Sequence, residues 1–233
     1  MKKEQLRLVS IYLLWLFIVS PLTVALFSPI IKNGGINIAL IGILLAPLTY
    51  LLTFYLYKFI FKSKYTLKNL FTEPQINRHY IKKGILTAII VLIVTFGFNI
   101  LYFSIFKDFI NNNNRADNVN GLLSIPFSLT ILTGGIIIPF IEEIVFRKGI
   151  KEVMPNSKPL TYIIISSLIF SSVHIQNVEN LYNMIFYIMG AFIDGLIFAY
   201  IYEKERTIWP SYIAHALYNT IILLIQVCLV WKD

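Results

Sequence analysis

Cysteine is nearly absent. Cys228 is the only one in 233 residues, so an intramolecular disulfide and a thiolate metal cluster are both excluded. Its Ile, Val and Leu surroundings suit a small apolar packing residue, not a reactive thiol. Charge is scarce too. Asp, Glu, Lys and Arg make up 14% of the chain, against roughly 25% in soluble domains. Acids are the scarcer sign, 12 against 20 Lys and Arg. In so apolar a chain that surplus does not point to nucleic acid, because Lys and Arg collect on the cytoplasmic side of membrane proteins. No internal repeat of the transporter kind is visible. The run Asn111–Asn114 is the only low-complexity stretch.

Apolar residues fill the space that charge leaves. They make up 57% of the chain, with a mean hydropathy of +0.72. Apolar runs of about 20 residues read as membrane spans. The expected fold is therefore all-α, a polytopic transmembrane helical bundle of about eight helices forming one membrane domain over 1–233. Spans are expected at 11–31, 36–61, 84–106, 124–153, 160–175 and 181–202. The stretch 208–230 reads as two further helices, or as one bent near Asn219. The first run exceeds the 7–15 residues of a signal-peptide core and reads as a retained anchor. The bilayer is thus the first expected partner, and the cell membrane the expected location.

The strongest basic stretch is 62–83, with Lys62, Lys64, Lys68, Arg78, Lys82 and Lys83 against the single acid Glu73. It reads as a cytoplasmic loop, with a short surface helix at 67–71. Placing the N-terminus inside leaves only Lys32, Lys107 and Arg115 outside, which orients the chain. His79 falls in this loop and reads as solvated.

One stretch breaks the apolar pattern. Residues 129–141 carry no charge, and then Glu142, Glu143 and Arg147 follow within I-E-E-I-V-F-R-K-G. A charge at the bilayer centre costs about 2.5–3.5 kcal/mol on insertion scales, so these three need partners, water or a chemical task. Residues four apart share a helix face. Glu143 can therefore pair with Arg147 while Glu142, about 100° away, faces a cavity. Two more such pairs follow: Phe170 and His174 in F-S-S-V-H, then His215 and Asn219 in H-A-L-Y-N. The turn at Pro155–Pro159 makes its flanking helices antiparallel neighbours. Glu142 and His174 lie at similar distances from it, within about one helical turn in depth. His174 is therefore expected against the glutamates. His215 counts out closer to the cytoplasmic surface. Taken alone, the charged trio suits a structural ion-pair cluster; with two histidines it suits acid–base chemistry. Asp194, a lone acid in the 181–202 run, could face the cavity, cap a kink or pair with a base. Trp209 and Tyr212 read as interface anchors. Pro47, Pro126 and Pro139 read as kinks satisfied by neighbouring helices.

The ordered set E-E-x-x-F-R, F-x-x-x-H and H-x-x-x-N resembles the CAAX protease and bacteriocin-processing (CPBP, or Abi) family, which includes the type II CAAX prenyl endopeptidases. The stretch from Gly195 to Asn219, with Arg-Thr, Trp-Pro and His-Ala in order, adds to it. The resemblance spans about 125–224, the expected catalytic core. One departure is Lys148, standing where the family often has glycine directly after the arginine. The resemblance implies intramembrane endopeptidase activity on membrane-associated peptides such as bacteriocin, pheromone or signal-peptide-like substrates. It implies Glu142 as the base that activates water, with Glu143 and Arg147 orienting the site. His174 would assist water or substrate, and His215 and Asn219 would stabilise the oxyanion. No cofactor is the first expectation. The alternative is zinc, held by Glu142, His174 and His215, since two histidines and a glutamate are a known ligand set; no H-E-x-x-H is present. The alternative function is a non-catalytic immunity or scaffold protein that binds a peptide in the same cavity.

Overall fold

The computed structural model describes Leu51, Tyr55 and the residues 73–107, 130–174 and 181–230. The expected spans at 11–31 and 36–61, the surface helix at 67–71, the asparagine run, Pro47 and Pro126 lie outside the described residues. Among the described residues every regular element is helical. In order these are α1 (Arg78–Phe106), a π-helical turn π1 (Ile131–Ile137), α2 (Ile138–Glu142), a second π-helical turn π2 (Glu143–Gly149), α3 (Ile150–Val153), α4 (Pro159–Ser172), α5 (Leu181–Glu205) and α6 (Trp209–Val230). Three of them, α1, α5 and α6, are long and apolar enough to cross a membrane.

α1 shows the solvent for which the bundle is built. Its buried positions, Gly84, Thr87, Ala88, Val91 and Thr95, recur at helical spacing and carry small side chains. Its exposed positions include Ile85, Leu86, Ile89, Ile93 and Ile100. Large aliphatics outside and small residues inside are the pattern of a helix facing lipid, where close backbone approach drives association. Gly84 is one such approach: a Cβ there would sit 2.6 Å from Ile213 of α6. Gly195 is another, with a Cβ meeting the Ser167 backbone at 3.1 Å. α1 thereby lies on α6, and α5 lies on α4.

The structure moves several expected boundaries. α1 begins six residues before its apolar run. Asn77 caps it by accepting from the Tyr80 amide at 3.1 Å, so Arg78, Lys82 and Lys83 form its first turns. α4 is only 14 residues long, short of the roughly 20 needed to span. α6 is one continuous helix, without a break at Asn219. The expected single span at 124–153 is an α-helix interrupted twice by wide π turns, and those interruptions shape the site.

Candidate active site

A π turn bonds each amide to the carbonyl five residues back, and so leaves carbonyls that a regular helix would satisfy. In π2 a neighbouring helix adds donors to two carbonyls, of which that of Arg147 also accepts from the Ile150 amide. The Tyr162 hydroxyl of α4 donates to the Arg147 carbonyl at 3.1 Å, and the Ser166 hydroxyl donates to the Phe146 carbonyl at 2.7 Å. Ser166 also accepts from Arg147 Nη1 at 2.7 Å. Thus α4 holds the backbone of π2 and its arginine together. The position after that arginine, Lys148, lies inside the same wide turn.

The charged side chains converge here. Arg147 Nε lies 3.3 Å from Glu143 Oε2, and neither side chain is exposed at all. His215 of α6 reaches both glutamates. Its Nδ1 is 3.1 Å from Glu143 Oε1, and its Nε2 is 3.6 Å from Glu142 Oε2. Ser211, one turn earlier on α6, donates its hydroxyl to the Ile208 carbonyl at 3.0 Å. So Glu143 is held by Arg147 and His215. Among the described residues Glu142 has only the longer approach to His215, beyond direct hydrogen-bond range.

Aromatic rings wall this cluster. Phe198 of α5 stacks on the His215 imidazole, centroids 4.7 Å apart and planes 21° apart. Phe170 meets the same ring edge-on at 5.7 Å. The Arg147 guanidinium lies over Phe170 at 4.7 Å and Phe198 at 5.9 Å. The two phenylalanines leave the guanidinium and the imidazole little freedom to turn and keep water from their flanks.

His174 does not meet the glutamates. α4 ends at Ser172, and His174 sits in the turn beyond it. Its Nδ1 is 2.7 Å from the Phe170 carbonyl, and its ring packs on Phe170 at 4.3 Å. The depth argument that favoured His174 over His215 assumed straight α-helices; early termination of α4 breaks it. The zinc alternative is affected in the same way. Glu142, His174 and His215 are not gathered, and no group of three or more His, Cys, Asp or Glu among the described residues could hold a metal ion. Asn219 lies one turn beyond His215, and its Nδ2 donates to the Gly134 carbonyl of π1 at 3.1 Å.

Among the described residues Asp194 has no base within ion-pair distance, although His174 lies near enough to feel its charge. Asp194 accepts from the Thr95 hydroxyl at 2.6 Å and is bonded by Tyr218, which ties α1, α5 and α6 together. Glu73 was legible only as the balancing acid of a basic loop. It is in fact a buried brace. One oxygen meets Lys148 Nζ at 2.8 Å; the other accepts from the Thr207 hydroxyl at 2.8 Å and the Ile208 amide at 3.1 Å, at the start of α6. Trp209 Nε1 donates to the Pro74 carbonyl at 2.6 Å, and Thr207 makes only a long 3.5 Å contact to the Trp209 amide. The start of α6 is thus capped largely by Glu73. No local spacing could have revealed it, because its partners are over 70 residues away.

The fold and the site together define a helical membrane protein with paired carboxylates, an arginine and a histidine buried between its helices. Residues 124–221 match the family described as type II CAAX prenyl endopeptidase Rce1-like, the stretch that carries the motifs resembling that family in the sequence. Among curated proteins, the chain is 29% identical over 115 residues to one from Bacillus subtilis (strain 168) named "Putative membrane peptidase YdiL". That match covers 48% of this chain and 44% of the relative, so the chain spans less than half the relative's length. No solved structure matches the chain.

Proposed function

We propose that the chain is an intramembrane endopeptidase that hydrolyses membrane-associated peptides with a water activated by Glu142. The observation that supports this most is the unequal pairing of two adjacent buried carboxylates. Glu143 is neutralised and held; Glu142 faces His215 Nε2 across 3.6 Å. With Nδ1 bound to the Glu143 carboxylate, that nitrogen carries the proton and Nε2 offers a lone pair. A water donating to Glu142 and to Nε2 fits such a pair of acceptors.

In the reaction Glu142 takes a proton from this water as its oxygen bonds to the scissile carbonyl carbon. The carbonyl π electrons move onto oxygen, where a remaining amide hydrogen of Asn219 donates. The tetrahedral species then collapses, the C–N bond breaks, and Glu142 returns the proton to the departing amine. The Phe170 carbonyl fixes the proton of His174 on Nδ1, so its Nε2 can accept from the water or the substrate. Each step uses only residues of this chain and water. The substrates are peptides held at the membrane: bacteriocin leaders, pheromone precursors or signal-peptide remnants. The basic end of the bundle, where α1 starts and α5 ends, faces the cytoplasm.

The test needs no guess at the substrate. Membrane and secreted peptides are compared by mass spectrometry in cells with the wild type, with no protein, and with Glu142→Gln at matched expression. Peptides produced only by the wild type are expected. A Glu142→Gln strain that matched wild type in peptides and phenotype would sink the protease reading and favour a binding role.

A further inference from the structure

The carbonyl that Asn219 holds is an orphan, and Pro139 orphans it. In π1 the Ile138 amide donates to the Thr133 carbonyl, five residues back. The next bond in that series would run from residue 139 to Gly134. Residue 139 is proline and has no amide hydrogen. The Gly134 carbonyl therefore loses its backbone donor inside an apolar bundle, where an unmet carbonyl is costly. Asn219 Nδ2 fills the position at 3.1 Å.

The approach that allows this is tight. A Cβ on Gly135 would lie 2.5 Å from the Thr220 hydroxyl oxygen, with the Thr220 Cβ and Cα at ordinary contact, 3.5 and 3.6 Å, so a larger residue there has to displace that hydroxyl. Pro139 itself is fully buried and stands three residues before Glu142.

We propose that Pro139 is a positioning residue: by leaving the Gly134 carbonyl open, it pins one amide hydrogen of Asn219 and so aims the other at the oxyanion. This rests on the hydrolytic reading for its consequence in catalysis, but not for its geometry. A proline spared for purely structural reasons behaves in the opposite way. Proline inside a helix is destabilising, so Pro139→Ala should raise stability and leave turnover alone if the proline only kinks the helix. If Pro139 positions Asn219, the backbone amide that the substitution restores at this position competes for the Gly134 carbonyl and releases the side chain.

Two measurements on the full chain in lipid nanodiscs decide this. The first is the side-chain NH2 signal of Asn219, in protein labelled with 15N-asparagine and assigned with Asn219→Asp. It should move in Pro139→Ala; an unmoved signal in a folded protein overturns the proposal whether or not the chain is a protease. The second is turnover of a peptide found in the mass-spectrometric comparison. Pro139→Ala should lower kcat about tenfold, within the up to 10²-fold that a small misplacement costs, with KM nearly unchanged and the melting temperature equal or higher. Wild-type kcat would equally overturn it. Gly135→Ala should give the same loss by pushing Thr220 away, and Gly135→Ala with Thr220→Ala should recover most of it. Failure of that rescue in folded protein counts against the proposal.

Discussion

At the basic end of the bundle each buried carboxylate meets its own cation. Glu73 meets Lys148 at 2.8 Å, and Glu203 meets Lys151 at 3.0 Å and Arg206 at 2.6 Å. Further into the bundle, on the same helical run, Glu142 and Glu143 share Arg147 and His215. Both clusters are buried, and both join elements distant in sequence. Their difference lies in charge balance. The basic-end cluster is saturated in charge, with a lysine Nζ within 3.0 Å of each carboxylate. In the deeper cluster Glu142 is under-paired, and a carboxylate in that state is the one able to exchange a proton with water. Burial of charge alone therefore does not set the two clusters apart; the completeness of pairing does.

That contrast can be broken from either side. The largest effect is expected from Glu142→Gln, which should lower peptide hydrolysis by about 10²–10⁴-fold, the usual span of a general base. Its melting temperature should stay level or rise, because an under-paired buried charge contributes little to stability. A large thermal loss would make Glu142 part of a structural cluster after all. At the saturated cluster the order reverses. Lys151→Met should cost about 3–5 kcal/mol, as breaking one partner of a buried pair does. Lys151→Met with Glu203→Leu should recover most of that, read by denaturation in detergent; an additive loss instead would show that the pair is not the unit. Glu73→Ala removes the Lys148 pair and the α6 cap together, and about 3 kcal/mol is expected. The smallest effect belongs to Phe198→Leu. It removes the plate under His215, worth about 0.5–1.5 kcal/mol, and turnover should fall more than stability. A Phe198→Tyr protein that behaved like Phe198→Leu would argue against ring stacking as the cause.

Much of this was open to local reasoning. The Glu143–Arg147 pair follows from four-residue spacing, and the apolar runs follow from composition. The place of Asn219 one turn beyond His215 follows in the same way. Other features had no local signal. Depth counting along the sequence favoured His174, yet of the two histidines it is His215 that reaches the carboxylates, since α4 stops at Ser172 while α6 runs on unbroken. Asp194 offered three readings and took none of them fully: its partners are the hydroxyls of Thr95 and Tyr218, on two other helices. Glu73 looked like a surface acid because nothing near it in sequence is its partner.

The sequence by itself determined an all-helical membrane protein, the order of its polar motifs and the face that each pair shares, because apolar length and the helical repeat act over a few residues. Tertiary structure alone decided which histidine serves the glutamates, which carboxylate is left under-paired and how the carbonyls of two π turns are met. Those outcomes depend on side chains brought from other helices. In an apolar medium that offers no water to substitute for them, every polar group must find its partner there.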